Sequence, residues 1–364
     1  MLDLAAFTVD GGVLESGRSA PISVIVGPTT LLSSAASWPI GQVMTTADGV
    51  RLRLELVADG LDDPTDLSAA PDGRVFVTER AGRVRIVRNG QLQTNPALTL
   101  GDVALAREGG LVALALDPQF QRNGMVYVIY TARSDSDGVV FRLARFREVN
   151  GTLGERAIVL DQIPAPSSQP AAALRFGPDR KLYAAFDDGG DARRGGDLGS
   201  YGGKVLRLNP DGTTPSDHTT ASPVYAHSLH SPRGVDWQQA TGTLWLADTG
   251  VDHVERLNIV LDDDGRSKRG AVGPKYVLPR LTGAASMTFY HGNLIPALRG
   301  DLLIAAGQGR HILRLQFDRR VPAQIVASER LLEDQVGSLR VVGTGPRGEI
   351  YFCTANALGR LVPA

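Results

Sequence analysis

Two stretches carry residue types that do chemistry. The first, "DDGGDARRGGDLGSYGG" at 187–203, places Asp187, Asp188, Asp191 and Asp197 among glycines. Carboxylate oxygens in that number suit a calcium ion, yet the spacing departs from the calcium-loop pattern, so a solvated loop is the competing reading. The second, "HSPRG" at 230–234, sets His230 three residues before Arg233. An imidazole serves as a general base and a guanidinium anchors an anion, whereas a histidine where a strand begins also serves simple structural ends. Trp237, Trp245, Tyr201 and Tyr290 offer flat faces for a sugar ring. Trp245 falls at a repeated aromatic position that suits packing, which leaves Tyr201 and Tyr290, nearer loops, as the ligand candidates. The run Asp262, Asp263, Asp264, Gly265 reads as a solvated turn.

These residues hang on a repeat. Gly-x-apolar-apolar-apolar recurs as "GRVFV" from Gly73, "GMVYV" from Gly124, "GTLWL" from Gly242, "GDLLI" from Gly300 and "GEIYF" from Gly348. "RKLYA" from Arg180 keeps the pattern without the glycine. After each copy comes a strand with one arginine among apolar residues: Arg85, Arg145, Arg207, Arg256, Arg314 and Arg360. Three or four short strands in a period of roughly fifty residues describe a propeller blade. The spacing predicts an all-β, six-bladed β-propeller. An N-terminal strand at about residues 50–57, "VRLRLELV", has no partner in its own repeat and is expected to pair with the last blade, closing the ring and covering an open edge. Helical periodicity is confined to a short candidate at 101–108. The repeated arginines read as structural, with stems on the sheet and heads between blades or in water.

Composition narrows the classes. The chain has 364 residues with 38 basic and 39 acidic, a net charge of −1, and no basic stripe to meet nucleic acid or an anionic surface. The 42 glycines and 21 prolines suit many turns. One cysteine, Cys353 in "EIYFCT", excludes a disulfide within the chain and reads as a small buried hydrophobe. No stretch reaches the length of a membrane span. Residues 1–45 form a leader, expected to be either the remnant of an immunoglobulin-like module with upstream domains missing from this chain or a disordered segment; 46–364 form the propeller.

Several segments together resemble the soluble glucose/sorbosone dehydrogenases. They are "GLDDPTDLSAAPDGRVFVTERAGRVRIV", "REGGLVALALDPQFQRNGMVYVIYTA", "LRFGPDRKLYAAFDDGGD", "YGGKVLRLNPDGTTPSD", "HSPRGVDWQQATGTLWLADTG" and "GPRGEIYFCTA". The resemblance covers roughly residues 50–364 in collinear order. It implies a sugar oxidoreductase carrying pyrroloquinoline quinone (PQQ) over the central channel, usually with calcium, in an extracytoplasmic setting. It also implies a histidine base on the sugar C1 hydroxyl, with arginines on the three carboxylates of the cofactor.

Carried over residue by residue, the base position falls on Gln169, which accepts no proton near neutral pH. His230 and Arg233 then stand as replacement base and anion anchor. Glu108, Asp188 and Arg340 are expected near the cofactor. Gly250 and Val251 are expected to offer calcium their backbone carbonyls. The reading is a propeller that binds a sugar or glycan over its channel, with oxidation retained only where another residue replaces the base. Two alternatives stand beside it: a non-catalytic carbohydrate- or protein-binding propeller, and a metal-dependent lactonase-like hydrolase using Glu108, Asp188 and Asn258.

Overall fold

The computed structural model describes residues 37–105, 109–134, 138–218, 221–260 and 270–364. Strand Pro64–Ala69 turns back at Gly73 into Val75–Glu79, which pairs with Arg83–Arg88. The same antiparallel run recurs as Leu111–Leu116, Met125–Arg133 and Val139–Val149, and as Ala172–Phe176, Leu182–Phe186 and Lys204–Leu208. It recurs again as Ser231–Gln238, Thr243–Thr249 and Glu255–Val260. Ala284–Phe289, Leu302–Ala306 and His311–Phe317 follow, and then Val341–Thr344, Ile350–Cys353 and Ala357–Pro363. Each first strand lies beside the first strand of the next run, and Val341–Thr344 lies beside Pro64–Ala69. The arrangement is all-β and propeller-like.

The repeated glycine has a backbone cause. Gly73 turns the hairpin with φ +87, and its N–H donates to Ala70 O at 2.9 Å. A positive φ costs a glycine nothing. Arg180, in the copy that lacks the glycine, is held at φ +61 in the same role, its N–H on Gly177 O at 2.9 Å. The second strand of each run is mostly apolar because neighbouring runs cover both of its faces. Val75–Glu79, Leu182–Phe186 and Leu302–Ala306 are buried at every position. The core therefore sits between runs: Phe141 packs against Phe186, and Trp245 against Phe289 and Phe317.

Outer strands complete the sheets, among them Thr152–Pro164, Val224–His227, Gly270–Val277 and Ile325–Leu331. Val224–His227 also meets Gly270–Val277 in a short parallel pairing, which joins two runs into one eight-stranded sheet. Arg51–Asp59 pairs antiparallel with Ala357–Pro363, Leu54 opposite Leu361.

Residues 101–105 form no helix, contrary to the periodicity. Val103 bridges Ala132, and the Asp102 carboxylate takes Tyr130 Oη at 3.0 Å and Arg142 at 2.8 Å, so sheet partners override the local pattern. Short helices occur instead at Phe120–Asn123 and Arg193–Gly196. Several repeated arginines end on carboxylates: Arg207 on Asp179 and Asp217, Arg314 on Asp48, Asp301 and Glu329, and Arg360 on Glu55. Cys353 is fully buried, and burial pushes its thiol up, as a packing residue requires. The expected leader at 1–45 falls outside the described residues up to residue 36.

Candidate functional site

In each run the first strand leads into the hairpin and the second leads away from it. The residues before first strands and after second strands therefore share the opposite end of the sheets. Asp63, Arg80, Ala171, Asp187, Asp188, His230 and Arg340 all come from that end.

Two cavities open there. The smaller, about 140 Å³, lies where first strands converge and is lined by Thr65, Ala171, Ala172 and three guanidiniums, Arg80, Arg233 and Arg340. Arg80 Nε donates to Asp63 Oδ2 at 2.6 Å. Arg340 approaches the same carboxylate at a long 3.5 Å, and its Nε is buried with no hydrogen-bond partner among the described residues. The alanines keep the floor open, and Asp187 fixes it by accepting the Ala171 N–H at 2.8 Å. Burial drives the Asp187 carboxyl up to about 7, against the pull of the Ala171 and Gly189 amides and of nearby Arg233.

The larger cavity, about 460 Å³, lies beside it and is faced by His230. Asp188, 1% exposed, meets His230 Nδ1 through Oδ2 at 2.5 Å and accepts the Gly190 N–H at 2.9 Å through Oδ1. A carboxylate accepts only, so it sets the proton on Nδ1 and turns Nε2 outward. Nε2 has no hydrogen bond among the described residues. Asp248 holds the backbone of the same segment, accepting the Ser231 N–H at 2.7 Å and the His230 N–H at 3.3 Å. Burial lifts the Asp248 carboxyl to about 6. Asp188 thus holds the imidazole and Asp248 the backbone that carries it.

A residue the sequence reading passed over builds the wall of this cavity. Lys204 is fully buried, and its Nζ donates to the carbonyls of Arg194, Gly195 and Gly202 at 2.5, 3.0 and 2.9 Å. Gly195 lines the cavity, and its carbonyl also takes the Ser228 N–H at 2.9 Å. A lysine opening the apolar strand "KVLRL" was the available signal.

The other expected residues divide. Gln169 is exposed, at φ +52. Arg233 and Arg340 share the small cavity, whereas His230 and Asp188 face the larger one. Glu108 and the turn at Asp262, Asp263, Asp264 and Gly265 lie outside the described residues. Tyr290 is no ligand platform: it is fully buried, and its Oη donates to Gly348 O at 2.6 Å. Trp245 is fully buried and Trp237 packs on Tyr183, while Tyr201 is half-buried against the core.

The aspartates of the 187–203 loop do not converge on an ion. Asp187 and Asp188 are committed as above, Asp191 pairs with Arg193 at 2.9 Å, and Asp197 accepts the Gly199 N–H at 2.9 Å. They cap loop amides, as short acidic side chains beside glycines do. The Gly250 carbonyl takes the His253 N–H at 2.8 Å, Val251 is exposed, and Asp252 is held by Arg256. Calcium takes six to eight oxygens. Among the described residues no group of three His, Cys, Asp or Glu side chains is placed to hold a metal.

A family model described as glucose/sorbosone dehydrogenase matches residues 61–264 and 262–363. The chain belongs to the glucose/sorbosone dehydrogenase family. It is 22% identical over 344 residues to the aldose sugar dehydrogenase YliI of Escherichia coli, covering 85% of this chain and 92% of that protein. Among solved structures, one from Thermus thermophilus described as an oxidoreductase (glucose dehydrogenase) gives a TM-score of 0.71 at 28% identity, over 85% of this chain and all of that one. The PQQ-bound aldose sugar dehydrogenase of Streptomyces coelicolor also gives 0.71, at 23% identity, over 85% of this chain and 98% of that one; it carries the fold. No helix among the described residues is long and apolar enough to cross a membrane.

Proposed function

We propose that this glucose/sorbosone dehydrogenase family member is a six-bladed propeller that takes PQQ at its channel mouth and oxidises a sugar beside it, with His230 as the base. The observation that carries this reading is the convergence of Arg80, Arg233 and Arg340 on one small cavity, with Arg340 Nε buried and unpartnered among the described residues. Guanidinium N–H pairs match carboxylates in geometry and charge, so a polycarboxylate suits this donor set. When bound, PQQ supplies the acceptor for the sugar's hydride. The chain's own part is to bind the carboxylates through the three arginines and to remove the proton from the sugar hydroxyl.

Gln169 cannot remove it. His230 can: Asp188 holds its Nδ1, and Nε2 faces a cavity of small-molecule size. A base matters because hydride leaves readily only from a developing alkoxide, and a well-placed one contributes roughly 10²–10⁴-fold. No step in this reading uses calcium. The blade count is supported by the six repeated strand runs, and ring closure by the pairing of Arg51–Asp59 with Ala357–Pro363. The same reading puts the protein outside the cytoplasm, as the family resemblance implies.

The test is calorimetric titration of the folded protein with PQQ, followed by dye reduction with a panel of aldoses. Saturable binding at about micromolar or tighter, a range open to a few charge-assisted contacts, is expected. No heat from folded protein would overturn the cofactor assignment. A second reading, a propeller that binds carbohydrate or protein without oxidising it, is favoured by Gln169 at the base position; PQQ binding without dye reduction would support it.

A further inference from the structure

The cavity that His230 faces holds a second group without a task. Asn258 stands in the strand Glu255–Val260, is 5% exposed and lines this cavity. Its Oδ1 is buried with no hydrogen-bond partner among the described residues. Leaving a buried acceptor unmet is costly, and most buried polar groups in folded proteins avoid it.

The neighbouring carboxylates and the Gly250 carbonyl only accept and so cannot donate to it, and the Arg256 guanidinium is held by Asp252. Asp248 holds the amides of His230 and Ser231, Asp188 holds His230 and Gly190, and the Gly250 carbonyl takes His253. Asp252 and Arg256 hold each other. The carboxylates and the guanidinium of this cavity already hold partners within the chain. Among the described residues, what remains unmet is Asn258 Oδ1 and His230 Nε2, with Leu229, Val272 and Pro274 as apolar wall. Hydroxyl groups donate and accept, and a sugar ring adds C–H faces that suit such a wall.

We propose that this side cavity seats a neutral polyhydroxylated ring, an aldose, through a sugar hydroxyl donating to Asn258 Oδ1. Asn258 is then a specificity-determining residue that brings another hydroxyl of the same ring to His230 Nε2. The inference takes its ligand class from the sugar-dehydrogenase reading and is independent of the cofactor.

The test is titration of the full chain with D-glucose, D-xylose and maltose, with and without saturating PQQ. It is followed through the His230 imidazole resonances, assigned by their loss in H230N. Sugar is expected to shift those resonances saturably. N258L is expected to bind sugar about tenfold more weakly, the worth of one hydrogen bond of about 1.4 kcal/mol. Its Tm should match or exceed that of the wild type, because an unmet buried acceptor is removed; an asparagine kept only for structure would lose stability instead. N258A serves the same comparison if N258L does not fold. Unmoved His230 resonances, or sugar affinity unchanged in both variants, would overturn the proposal. PQQ calorimetry on each variant separates this result from the cofactor assignment: unchanged PQQ affinity with lost sugar affinity supports the sugar seat, and parallel loss of both overturns it.

Discussion

Asp187 and Asp188 are adjacent in the chain yet hold different cavities. Asp187 accepts the Ala171 N–H at 2.8 Å on the floor of the arginine-lined mouth, and Asp188 meets His230 Nδ1 at 2.5 Å in the cavity beside it. Successive residues at a strand end face opposite ways, so one dipeptide braces two neighbouring sites. A change at either aspartate is expected to separate their functions.

H230N and D188N should leave PQQ affinity within about twofold while lowering turnover, H230N by roughly 10²–10⁴-fold, the usual worth of a general base. D188N should fall between H230N and wild type, because it frees the ring without removing it. Dye-reduction kinetics beside PQQ calorimetry check both; equal turnover in H230N and wild type would remove His230 from the chemistry.

R233M and R340M should weaken PQQ binding by roughly ten- to a hundredfold each, since a hydrogen bond to a charged group is worth about 1.5–3 kcal/mol. The double variant should lose more than either single one. Calorimetry reads this directly.

Burial raises Asp187 to about 7 and Asp248 to about 6, above the 3.8 of a free aspartate. Between pH of about 4 and 7 the folded chain holds protons that the unfolded chain has released. Their contribution to stability is therefore present below the unfolded value and lost as pH rises through the folded one. Differential scanning calorimetry from pH 4.5 to 8 should show a falling component that D187N and D248N each reduce. A slope identical in both variants and wild type would refute the sign.

K204M leaves the carbonyls of Arg194, Gly195 and Gly202 without their common donor. At roughly 1–3 kcal/mol for a buried unmet group, this should open the 189–203 loop before the propeller melts. Limited proteolysis should then cut within that loop in K204M and spare it in wild type.

Leu54 is 2% exposed in the strand that pairs with Ala357–Pro363. L54A should cost about 2–5 kcal/mol, as a buried leucine truncation does, and should lower the urea midpoint. A comparable loss from Val43, exposed in the strand Val43–Thr45, is not expected.

Much of this protein could be read along the chain because its signals are local. A glycine at all but one of the repeated hairpins, an apolar run after it and an arginine one strand later require only near neighbours to explain them. Those signals were sufficient for the strands, the turns and the buried Cys353, and the segment resemblances pointed to the family. The same locality misled at 101–105, where Asp102 and Val103 answer to Tyr130, Arg142 and Ala132 across the sheet, and at Tyr290, whose loop position hides a hydroxyl bound to Gly348.

The site itself was decided in three dimensions. His230 and Asp188 are 42 positions apart, and whether they meet depends on two strand runs packing side by side. Arg80, Arg233 and Arg340 come from three runs and acquire common purpose only where first strands converge. Composition records which side chains are available, and repeat spacing records which backbone turns recur. Neither encodes which strand ends become neighbours, because that follows from burying apolar faces between runs, a sum over all the runs rather than any one segment.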